Sequence, residues 1–141
     1  MATPQTRALA ALHTYYATFN SGDREGLLHL LTEDVVHDIN QGATETGKEA
    51  FRMFLERMDR CYHEQVEDLV VFANEEGTRG AAEFYIRGEY RVTDSDLPPA
   101  SGQTYHLRVG AFFELREGSV ARVTNYYNLG DWIQQVSAKV P

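Results

Sequence analysis

Arg87 and Glu89 stand two positions apart in a segment, residues 78–93, in which apolar and polar side chains alternate. Alternation marks a strand, and side chains two apart on a strand leave the same face. The pair therefore shares a face with Ala81, Glu83, Tyr85 and Arg91. A second group sits in the short segment 35–40, where Asp38 and Asn40 share one face and His37 shares the other with Val35 and Ile39. Asn125 lies on the face of segment 119–129 that also carries Val123 and Tyr127. Taken singly, Arg87–Glu89 reads as a surface ion pair and Asp38 as a strand-end turn residue. Taken together they predict a pocket floor, because a buried face holds charge only when that charge is paired. A carboxylate in such a pocket gains basicity from desolvation, with arginine and amide placed to polarise or orient a carbonyl. Asp38, Arg87, Glu89 and Asn125 are thus expected to converge.

Other chemistry is absent from the pattern. No glycine-rich phosphate loop, nucleophile elbow or zinc-protease helix occurs, and His13, His29, His37, His63 and His106 show no ligand spacing. No metal or cofactor is expected. The net charge is −8, from 13 basic and 21 acidic residues, which disfavours nucleic acid and anionic membranes as partners. Cys61 is the single cysteine, so no internal disulfide forms, and a reducing, cytoplasmic setting is the simple expectation. Arg7 and His13 interrupt the N-terminal stretch, which does not read as a signal peptide, and no apolar run approaches a membrane span.

The elements that must position these residues follow from period. Thr3-Pro4 opens a helix with the stripe Leu9, Leu12, Tyr16 and Phe19, which Asn20-Ser21-Gly22-Asp23 stops. Asp23 caps a short second helix through Leu27 to Leu31, and residues 35–40 form a strand. Gly42 to Gly47 reads as a loop, and a third helix runs from Lys48 to Cys61, with Phe51, Phe54, Leu55 and Met58 on one face. The period then becomes two across 65–74, 78–93, 104–116 and 119–129, with a tight turn at Glu117-Gly118 and a longer tip over 94–103. Trp132, Ile133 and Val136 suggest a last short helix plugging one end. Helices first and antiparallel strands afterwards make one α+β domain over residues 1–141, a cone of three helices on a curved sheet. Tyr105, Leu107, Val109, Val123 and Tyr127 are expected on the concave side. The other face, assigned Phe84, Ile86, Tyr90, Phe112 and Tyr126, is too aromatic for open water, so a homodimer is expected to cover it.

The order of elements resembles the nuclear transport factor-like superfamily over nearly the whole chain. YYATFNSGDREGLLHLLTEDVVHD, followed by a loop and Gly47, resembles ketosteroid isomerases and SnoaL-like polyketide cyclases, and GQTYHLRVGAFFELREGSVARVTNYYNLGDWIQQV resembles limonene-epoxide hydrolases. The first resemblance implies a carboxylate base on the first strand. Counting back from Gly47 puts it at Asp38, and counting forward from Asn20 puts it at Ile39. The same resemblance puts its oxyanion tyrosine at Tyr15 and its oxyanion acid near Gly110 or Ala111, where no acid stands. The second resemblance implies that Arg87-Gly88-Glu89 matches an Arg-x-Asp element, that a second acid is replaced by Asn125, and that water-holding positions fall at His37 and at Ile39 or the adjacent Asn40. The function these imply is binding of a small apolar carbonyl or cyclic compound, with isomerase, cyclase or hydrolase chemistry. Asp38 or Glu89 would be the base, with Arg87, Asn125 and Tyr15 polarising. The alternative is a non-catalytic ligand-binding or dimerising module on the same cone.

Overall fold

Helix α1 (Pro4–Ser21) begins where the Thr3 hydroxyl accepts from the Thr6 N–H at 3.1 Å and Pro4 supplies the first helical residue. It ends at Gly22, whose φ of 81° closes the helix in the left-handed conformation. Asp23 then caps α2 (Arg24–His29) by accepting from the Gly26 N–H at 2.9 Å. This is a computed structural model of the chain, and it describes residues 2–39 and 42–137. Strands β1 (Leu31–Ile39) and β2 (Thr44–Thr46) come next, then α3 (Lys48–Cys61). Strands β3 (Tyr62–Ala73), β4 (Arg79–Tyr90), β5 (Gln103–Arg116) and β6 (Ser119–Tyr127) follow, and α4 (Leu129–Ser137) comes last. Strand β2 falls in the stretch read from sequence as a loop. Among the described residues no helix is long and apolar enough to cross a membrane.

The six strands form one unclosed, curved sheet in the order β2-β1-β6-β5-β4-β3. All neighbours are antiparallel except β1 and β6, which run parallel. The concave face carries the core, and on β5 this is the unbroken row Tyr105, Leu107, Val109, Ala111, Phe113 and Leu115. Phe113 is fully buried, edge-on to Tyr15 at 5.4 Å and to Tyr16 at 6.0 Å. Cys61 is buried at the end of α3, as a small hydrophobe should be.

On β4 the buried residues are Ala82, Phe84, Ile86 and Tyr90, so Phe84, Ile86 and Tyr90 belong to the concave core and not to the outer face. Phe84 packs on Tyr16 at 4.9 Å. On β3, Asp68 adopts a φ of 55° at a bulge, and the extra residue reverses the strand's phase. Tyr62 and Val66 face inward before the bulge, while Val70 and Phe72 are exposed after it.

Helix α4 plugs one end. Trp132 meets Tyr90 at 5.0 Å, Tyr105 at 5.9 Å and Tyr62 at 6.1 Å. Gln135 donates to the His106 carbonyl and accepts from its N–H, both at 2.9 Å, which pins the helix to β5.

Candidate functional site

Between the helices and the concave face of the sheet lies a cavity of about 550 Å³. That is room for a small organic molecule. Its walls are chiefly apolar and aromatic, with Tyr16 and Phe19 from α1, Phe51, Phe54 and Met58 from α3, and Phe84 and Ile86 from β4. Of the residues singled out from sequence, Tyr15, His37, Leu107, Val109, Asn125 and Tyr127 line it.

Asp38, Arg87 and Glu89 do not, so the expected convergence of those three with Asn125 is corrected. On β1 the inward phase is Val35, His37 and Ile39, and Asp38 points to the convex side. There its carboxylate accepts from Thr124 Oγ1 at 2.6 Å and Thr44 Oγ1 at 2.9 Å, which holds it below the usual carboxylate range. Arg87 and Glu89 occupy the outward phase of β4. Arg87 Nε donates to Glu67 at 2.9 Å, and Glu89 accepts from Arg91 at 3.0 Å. Water and these partners satisfy the charges outside, whereas the cavity would leave them desolvated. Asn40 lies outside the described residues.

Beside Tyr15, His37, Asn125 and Tyr127, the cavity holds polar groups that the sequence reading did not single out, among them Glu64, Glu45, Asp94 and Arg57. Glu64 follows Tyr62 and precedes Val66 on the inward phase of β3, a placement that alternation alone could have found. Tyr105 Oη donates to Glu64 Oε2 at 2.5 Å. Gly88 makes this reach possible: a Cβ at that position would lie 2.2 Å from the Tyr105 ring, which crosses β4 there. Burial pushes the Glu64 carboxyl above its usual range, with the Tyr105 hydrogen bond pulling the other way. Burial likewise pushes the Tyr105 phenol well up, helped by the neighbouring carboxylate. Glu64 is half-buried and lines the cavity.

His37 is 2 % exposed, between the Phe51 ring at 4.6 Å and the Phe54 ring at 4.5 Å. Burial lowers its pKa from 6.5 to about 4, so the imidazole is neutral at physiological pH. At the tip formed by residues 94–103, the buried Asp94 accepts from Tyr62 Oη at 2.8 Å, and Arg57 Nε lies 3.7 Å from it. Tyr15, from α1, has its phenol pushed up by burial. Among the described residues no three His, Cys, Asp or Glu side chains are grouped to hold a metal. The arrangement can enclose an apolar ligand and offer it a neutral imidazole, a desolvated carboxyl and several phenols.

No curated protein matches the chain. The structure superposes on a candidate polyketide cyclase from Xanthomonas campestris pv. campestris with TM-score 0.92 and 52% identity, covering 96% of this chain and 100% of that one. A candidate polyketide cyclase from Pseudomonas putida KT2440 gives TM-score 0.90 and 50% identity, covering 97% and 100%. An LEH-like epoxide hydrolase of Mycobacterium tuberculosis shares the fold alone, with TM-score 0.78 and 15% identity over 96% of this chain and 89% of that one. The fold is the nuclear transport factor-like cone. A family model of the SnoaL-like domain matches residues 12–123, from the middle of α1 into β6, and the chain belongs to that family.

Proposed function

We propose that the chain binds a small, largely apolar carbonyl or cyclic compound in this cavity and moves a proton on it, as a cofactor-independent isomerase or cyclase. The observation that carries this reading is Glu64, a carboxyl raised by burial inside an apolar cavity and hydrogen-bonded by Tyr105. A carboxyl in that state exchanges protons nearer neutral pH than a solvated one. As a carboxylate it takes a proton beside a ligand carbonyl; as an acid it returns one to the carbonyl oxygen or the adjacent carbon. The base is thus moved from Asp38 or Glu89 to Glu64, with Tyr15, Asn125 and Tyr127 orienting the ligand. The two relatives of about half-identical sequence, both candidate polyketide cyclases, support a ligand of this class. A panel of cyclic ketones screened for binding and turnover tests it. Glu64→Gln is expected to keep binding and lose turnover; a variant that turns over like wild type removes Glu64 from the chemistry.

A second reading, a ligand-binding module without catalysis, is favoured by the fact that Glu64 already has a partner in Tyr105. Tight binding without turnover across the panel would support it. Two copies are further proposed to pair through the convex face, where Phe112 and Tyr126 are 47 % and 48 % exposed and meet edge-on at 5.7 Å. Sedimentation at micromolar protein tests that, and a clean monomer contradicts it.

A further inference from the structure

His37 and Glu45 stand directly opposite each other in the antiparallel pair of β1 and β2. Opposite residues in such a pair send their side chains to the same side, with Cβ atoms about 4.5–5.5 Å apart. Here that side is the cavity, whose lining includes both. Each carries an enclosed polar atom with no hydrogen-bond partner: Nδ1 of His37 and Oε1 of Glu45. Buried polar atoms in folded proteins are nearly always paired. The histidine cannot turn away to find a partner, because Phe51 and Phe54 hold its ring on two sides. Two unpaired atoms on facing positions of one cavity wall ask for a group that bridges them.

We propose that His37 and Glu45 form a hydroxyl-binding subsite, and that the ligand carries an alcohol, enol or phenol group at the β1–β2 end of the cavity. The proposal rests on the reading of this cavity as a ligand site. An ionised carboxylate only accepts hydrogen bonds, and a neutral imidazole donates from one nitrogen. With the imidazole proton on Nδ1, the tautomer this subsite requires, the bridging group donates once, to Glu45 Oε1, and accepts once, from the Nδ1–H of His37. A hydroxyl does both. A ketone or carboxylate cannot donate, and an ammonium cannot accept. The subsite fixes which end of an otherwise apolar ligand faces β2, and so which of its carbons faces the remaining polar groups of the cavity.

The test uses 1-tetralone, its ring-hydroxylated isomers and 1-aminotetralin, titrated calorimetrically into wild type, Glu45→Leu and His37→Phe. In wild type at least one hydroxylated isomer is expected to bind about tenfold or more tightly than 1-tetralone, the worth of one buried hydrogen bond to a charged acceptor. Glu45→Leu, on a three-residue edge strand, is expected to abolish that preference, so that the hydroxylated isomers and 1-tetralone bind alike. His37→Phe, which keeps an aromatic ring between Phe51 and Phe54, is expected to abolish the preference as well. Equal binding of hydroxylated and plain ketones by wild type overturns the subsite, as does a preference that survives Glu45→Leu, or tightest binding of the amine. Binding of none of the compounds overturns the cavity reading itself, and the subsite with it.

Discussion

The two faces of β4 carry similar residue types to opposite ends. On the concave side Phe84, Ile86 and Tyr90 are buried, and Gly88 lets the Tyr105 ring cross the strand to Glu64. On the convex side Glu83 and Arg87 stand in water, with Arg87 and Glu89 each tied to a neighbour of opposite charge. The carboxylates respond accordingly. Hydrogen bonds hold Asp38 and Glu67 below the usual range on the outside, while burial holds Glu64 above it on the inside. A charged pair with good geometry stabilises its own ionised state and has little left for a ligand. A carboxyl that burial makes uncomfortable is the one a ligand can engage.

The largest expected contrast is between neighbours on β5. Phe113→Ala empties the centre of the core and is expected to cost about 3–5 kcal/mol by urea denaturation, whereas Phe112→Ala on the convex face, in protein dilute enough to keep the chain monomeric, stays within about 0.5 kcal/mol. Similar losses for both in dilute protein would contradict the placement of Phe112 outside the core, and a loss for Phe112→Ala that grows with protein concentration is what pairing through the convex face predicts.

Next in size is pH. His37 has a folded pKa of about 4 against an ordinary 6.5, so between those values the unfolded chain binds more protons than the folded one. Its contribution is present above pH 6.5 and is lost as pH falls towards 4, up to roughly 3 kcal/mol. Glu64 acts in the opposite sense, since its raised pKa favours the fold at lower pH. Comparing denaturation of wild type and His37→Phe over this window isolates the histidine: the variant is expected to have the flatter profile. Parallel profiles would place a solvated, freely protonated imidazole at position 37.

Gly88→Ala puts a methyl group into the Tyr105 ring and is expected to cost about 1–3 kcal/mol and to break the Tyr105–Glu64 hydrogen bond. Tyrosine titration and melting temperature read both effects. The smallest effects belong outside. Arg87→Ala and Glu89→Gln are expected to leave the denaturation midpoint unchanged within error, as exposed ion pairs do.

Much of the fold was readable in the sequence because its signals are local and agree with one another. The Phe51–Leu55 face gave α3 with bounds 48–61, and Glu117-Gly118, with φ of 51° and 83°, made the turn its residue types demand. The concave row of β5 followed from unbroken alternation. The phase of β4 was harder, because apolar residues occupy both faces, with Ala81 and Tyr85 outward and Ala82 and Phe84 inward. The charges at 83, 87 and 89 point that phase outward by the cost of burial, while the likeness of Arg87-Gly88-Glu89 to an Arg-x-Asp element points it inward. The burial cost prevailed. The site was less readable for a different reason. Asp94 and Arg57 meet across 37 positions of chain, Tyr105 reaches Glu64 only through the absence of a side chain at position 88, and Glu45 sits on a strand of three residues that no period reveals.

The central claim is that function resides in the concave cavity and not on the convex charged face. It is tested most directly by calorimetric titration of the tightest-binding cyclic ketone into wild type, Leu107→Trp and Arg87→Ala, each checked for a native circular dichroism spectrum. Leu107→Trp fills the cavity from β5, and Arg87→Ala removes the convex guanidinium. The expected result is equal affinity for wild type and Arg87→Ala and no binding to folded Leu107→Trp. Undiminished binding to Leu107→Trp, or loss of binding in Arg87→Ala, would contradict it.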